Sequence, residues 1–150
     1  MHRAIPRLLL IVVFAAACAE QSPSTPTPQT VNVSGTWSGD VTFQGVSARM
    51  VWTLSQTNAT DVSGPVLMAL PTGTVLLNGF LTGTLAGSAL TYTISVGPGG
   101  LPSSPSCVGQ LGGTMTATLG TTSTLAGDFA IRSSTCTPPF TGGSLTLTRQ

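Results

Sequence analysis

The chain of 150 residues has no lysine, and its one histidine is His2. Without lysine there is no Schiff base to form. Without a histidine beyond position 2, the body of the chain has no imidazole general base, no Ser-His-Asp triad and no His-held metal. The acidic side chains are Glu20, Asp40, Asp61 and Asp128. A paired-carboxylate mechanism needs two of them side by side. Asp40 and Asp128 fall out of phase with the apolar residues around them and so face solvent, and Asp61 opens a strand beside a turn. The expectation is a protein that is not an enzyme and that uses no cofactor and no metal.

Charge of either sign is scarce, at 6% of residues. Arg3 and Arg7 sit at the extreme N-terminus. The remainder sets Arg49, Arg132 and Arg149 against the four acids, 3 − 4 = −1. Nothing there makes the basic patch that nucleic acid requires, or a polybasic patch for anionic lipid. Long apolar runs are missing too. The longest, Leu8 to Ala17, is short of the roughly 20 residues that span a bilayer. Aromatic residues are only 5%, too few for the girdles of an integral outer-membrane barrel.

What is there begins with a basic segment, Met1 to Arg7, and the apolar run that follows it, read together as a signal peptide over 1–17. Ala15-Ala16-Ala17-Cys18 resembles the lipobox of bacterial lipoproteins, with Ala15 where that family usually carries Leu. Ala15-x-Ala17 also fits cleavage by ordinary signal peptidase, so both outcomes stand open. The segment 18–30, rich in Pro, Ser and Thr, favours the lipoprotein reading, because a lipid-anchored domain needs an extended spacer that cannot pack. The resemblance implies acyl chains, palmitate among them, on Cys18, and hence a membrane partner. Ala19 stands where Asp marks inner-membrane retention in enterobacterial lipoproteins. Its presence implies the outer membrane of a bacterial envelope, on the periplasmic or the surface face. With Cys18 assigned to lipid, Cys107 and Cys136 remain as a pair in an oxidising compartment, and a disulfide is expected.

From residue 31 the chain reads as one all-β domain, 31–150. Period-2 alternation predicts eight strands at about 35–44, 46–57, 61–69, 74–86, 88–96, 107–119, 123–133 and 142–149. Met50, Trp52 and Leu54 share a face with Val46 and Ala48, and Leu90, Tyr92, Ile94 and Val96 make another. Short Gly-bearing turns such as Ala86-Gly87-Ser88 fit hairpins between neighbours. A looser loop, 97–106, separates the fifth and sixth strands. The pattern points to an eight-stranded antiparallel up-and-down barrel, which abolishes sheet edges, with a β-sandwich as the alternative. Gly35, Gly39, Gly64, Gly79, Gly83 and Gly127 fall in phase with apolar neighbours. Strong coiling of a small barrel, or room beside a bulky partner, would account for them.

Gly35-Thr36-Trp37 resembles the Gly-x-Trp signature of lipocalins and avidin-like barrels. In lipocalins a late-strand Arg packs over that Trp at the closed end, which implies Arg149, with Arg132 second. The lipobox, linker, "SGTWSG" and late Cys pair together resemble small bacterial lipoproteins of unknown function. Trp37, Trp52, Tyr92 and Phe129 then either fill the barrel core or line an apolar pocket. Two functions follow. One is a binding module for a small apolar ligand. The other is a structural or interaction lipoprotein with a filled core, using its outer face or the 97–106 loop.

Overall fold

The computed structural model describes residues 31–43 and 45–150, so the signal-peptide, Cys18 and linker expectations lie outside the described residues. Eight strands run β1 (Gly35–Phe43), β2 (Val46–Gln56), β3 (Asp61–Ala69), β4 (Val75–Ala86), β5 (Ala89–Val96), β6 (Gly109–Thr118), β7 (Thr124–Ser134) and β8 (Phe140–Arg149). Each is antiparallel to the next. β8 returns to β1 through Trp37↔Arg149 and Ser38↔Thr148, which closes the barrel and rules out the sandwich. Two boundaries differ from expectation by more than one residue. β6 starts at Gly109 because Cys107 and Val108 belong to the preceding loop, and β8 starts at Phe140, which pairs with Ile131.

The alternation dictates what lies inside. On β2, Ala48, Met50, Trp52 and Leu54 are buried, with exposed or half-buried residues between them. Val46 shares their phase yet is 49% exposed, because it sits at the hairpin tip beyond the last layer of the core. Outward positions carry small polar side chains, for example the cross-strand pairs Thr82↔Thr93, Thr84↔Thr91 and Thr91↔Thr114. A β-branched hydroxyl suits a pleated surface that is half exposed.

Three of the in-phase glycines, Gly39, Gly64 and Gly127, have a common cause. A Cβ on Gly127 would run into the carbonyl oxygen of Thr114 on β6, and one on Gly64 into that of Thr53 on β2. The obstacle is backbone and not a bulky side chain. Neighbouring strands therefore coil so sharply at these points that only a bare Cα fits.

Strand direction sorts the connections into two ends. The turn at Gly45, the turn 70–74, the loop 97–108 and the turn 135–139 lie at one end. The short turns 57–60, 87–88 and 119–123 lie at the other, together with residues 31–34 and Gln150. The first end is the open one and the second is closed.

Candidate functional site

The closed end is built on Trp37. Its ring is fully buried, and its Nε1 donates to the Val33 carbonyl at 2.8 Å. The Arg149 guanidinium lies 4.6 Å from the centre of that ring and donates through Nη2 to the Asn32 carbonyl at 2.5 Å. A cation over an indole face is attractive, and the more so with water excluded. Gln56 completes the floor. Its Oε1 accepts from the Val33 amide at 3.0 Å, and its own amide donates to the Ser34 hydroxyl at 3.0 Å. The Arg expected over Trp37 is thus Arg149, while Arg132 is exposed on the outer wall against Gly112.

One layer further in, Trp52 and Tyr92 pack with ring centres 4.9 Å apart and planes tilted by 60°. The Tyr92 hydroxyl donates to the Asp128 carbonyl at 3.1 Å. Burial pushes this phenol well above its ordinary range, and the nearby Asp128 carboxylate adds to the push while Arg132 opposes it. The indole N–H of Trp52 is buried and has no acceptor among the described residues. Trp37, Trp52 and Tyr92, with Leu81, Leu90, Met115 and Leu147, fill this half of the barrel solidly.

The open half is different. A cavity of about 140 Å³ lies there. One side is walled by Val41, Met50, Met68 and Leu77 from β1 to β4. Phe129 and Ile131 of β7 form the other side, and Leu101 of the long loop lies over it. Of the four aromatic residues weighed from the sequence as core or pocket, only Phe129 reaches this cavity. Its ring fills the space above Gly143 on β8, where a Cβ would collide with it.

Three register shifts mark the same region. They fall between Met68 and Ala69, between Gln110 and Leu111, and between Phe129 and Ile131. Met68, Leu111, Phe129 and Ile131 all line the cavity. An extra residue in one strand bends it and re-aims a side chain, which is why bulges gather at barrel rims and beside binding sites. Here they hold the walls apart where the closed half has none.

The roof is covalently fastened. Cys107 and Cys136 form a disulfide with a Cα–Cα distance of 5.7 Å. It ties the 97–108 loop, which carries Leu101 and Val108, to the β7–β8 turn, which carries Thr137. All three of those residues line the cavity.

No protein family, curated protein or solved structure matches this chain. The barrel geometry therefore carries the reading by itself. The three aspartates do not converge. Asp40 lies on β1 opposite Arg49, Asp61 at the start of β3 and Asp128 on β7, all exposed. Among the described residues no three His, Cys, Asp or Glu side chains cluster to hold a metal. Sequence reasoning missed the aliphatic and methionine lining of the cavity, because alternation shows which side chains face inward but not their height along the barrel. The one signal that pointed there was the length of the 97–106 loop.

Proposed function

We propose that this protein is a lipid-anchored, non-enzymatic binding module of the bacterial envelope, which takes a small apolar molecule into the open end of its barrel. The observation that carries the reading is the apolar cavity above a solid floor. Its volume of about 140 Å³ is close to that of a roughly 150 Å³ apolar cavity known to hold benzene. It is well below the roughly 300–1,000 Å³ of sites for drug-sized ligands. One ring or a short chain fits, and a membrane lipid does not. Eight strands enclose little more than side chains or one small ligand, and this interior is filled with side chains in one half and hollow in the other.

The position of Val31 supports an orientation. The chain enters at the closed end, so a spacer over 18–30 with acylated Cys18 at its root would turn the open end away from the outer membrane. Several acyl chains on one cysteine anchor stably, at about 0.8 kcal/mol per buried CH₂. The lipocalin-like arrangement of Trp37 and Arg149 at the closed end agrees with a mouth at the other.

The test uses the methionine methyl groups as reporters. In ¹³C-methyl-methionine NMR with benzene as the probe, the Met50 and Met68 signals should move in a saturable way while the core Met115 stays still. If all three stay still to the solubility limit of benzene, the barrel is not a binding module. The solid closed half, with Trp37 and Trp52 fully buried, would then favour a structural lipoprotein with protein partners.

A further inference from the structure

The cavity does not end in apolar wall on every side. Along the β6–β7 margin it shares Val108, Gly109, Gln110, Ser133 and Ser134 with an open surface cleft, which Ser95 and Thr135 extend. Gln110 and Ser133 are exposed in that cleft. The Ser134 hydroxyl already accepts from the amides of Cys136 and Thr137, both at 3.1 Å, and Thr135 Oγ1 accepts from the Val108 amide at 3.1 Å. These bonds lock the cleft's floor and leave Gln110 and Ser133 as its adaptable donors and acceptors. No residue lining either the cavity or the cleft is charged. Arg132 adjoins Ser133 in sequence but turns outward, with its Nε 2.6 Å from where a Gly112 Cβ would stand.

Resting on the binding-module reading, we infer that the ligand is an uncharged amphiphile. It has an apolar body of one ring or a short chain and a neutral hydroxyl or carbonyl group, which is held in the Gln110/Ser133 cleft while the body occupies the cavity. The physics is a matter of desolvation. A carboxylate or ammonium held at this margin would give up part of its water as the body enters the cavity, with no counter-charge among the lining residues to replace it. A hydroxyl or carbonyl group asks only for one or two hydrogen bonds, and the amide and hydroxyl at the margin supply both donor and acceptor. A purely apolar ligand would leave these groups to water at no loss and gain nothing from them.

The experiment compares benzyl alcohol, benzoate and toluene at pH 7, each titrated against the Met50 and Met68 methyl signals of the intact barrel domain. Benzyl alcohol should bind at least tenfold more tightly than benzoate. In the Gln110→Ala, Ser133→Ala double variant its affinity should fall several-fold while that of toluene stays unchanged. Both residues are exposed, so the variant keeps the fold, and the unmoved Met115 signal verifies this. Benzoate binding as tightly as the alcohol would overturn the neutral-ligand inference and leave the binding module standing. A double variant that holds the alcohol as well as the parent protein does would overturn the role of the cleft. If neither toluene nor benzyl alcohol moves either signal, the binding-module reading fails and the inference falls with it.

Discussion

Two tryptophans of equal burial have unequal hydrogen bonding, and this difference sets what their replacement costs. Trp37 Nε1 is bonded to Val33 and its face is covered by Arg149, whereas Trp52 Nε1 has no acceptor among the described residues. Trp37→Ala should destabilise by about 3–5 kcal/mol in denaturant unfolding. Trp37→Phe should cost about 1 kcal/mol more than Trp52→Phe, since a net buried hydrogen bond is worth about that much. Equal losses would mean that the Val33 bond contributes nothing. Tyr92, the one tyrosine of the chain, makes a prediction in pH. Its folded pKa lies above the unfolded value of about 10, so its contribution to stability is fully present below that value. It is then lost as pH rises past about 10, because the unfolded chain releases the proton first. Denaturation midpoints measured from pH 8 upward should decline beyond 10, and Tyr92→Phe should flatten that decline. The absence of lysine keeps the alkaline range clear of other side chains that titrate near 10.

At the scale of elements, the long loop and the strand bulges decide what kind of barrel this is. The disulfide closes a separation of 29 residues, for which chain entropy gives about 3–4 kcal/mol. The Cys107→Ser, Cys136→Ser double variant should lose about that much in urea unfolding. It should also bind benzene more weakly, because the loop that carries Leu101 is released from the β7–β8 turn. Retained affinity would show that the roof needs no fastening. The strands themselves were legible in the sequence, since the alternation of residues such as Leu90-Tyr92-Ile94-Val96 has one solution in a charge-poor chain with short Gly-bearing turns. The Gly-x-Trp resemblance placed Trp37 and its covering Arg149. Closure was less legible, because in-phase glycines such as Gly127 report tight coiling without naming the strand that approaches. The cavity was not legible at all. It depends on where Met50 or Phe129 stands along the barrel axis and on bulges at Met68, Gln110 and Phe129, and period-2 alternation carries neither.

For the whole molecule, the division into a filled half and a hollow half separates the part that carries stability from the part proposed to hold a ligand. Substitutions around Trp37 should act on folding with little effect on benzene affinity. Substitutions around Met50 and Met68 should do the reverse, since a wall that already borders empty space forfeits fewer contacts. The proposed anchor makes a separate prediction. Protein expressed with residues 1–17 in place should partition with membranes, and Cys18→Ser should move it to the soluble fraction. If the variant stays with the membranes, something other than an acyl group on that cysteine holds it.

The placement of residues 31 and 150 at the same end also has a mechanical consequence. A load applied between them does not shear strands along their length. It peels β8 from β1 one rung at a time, starting at Trp37 and Arg149, the first pair of the seam. The barrel should therefore open at low force when stretched from these two points. Drag on a domain tethered through residue 31 alone does not load the seam in this way, so the hinge that closes the barrel stays shut.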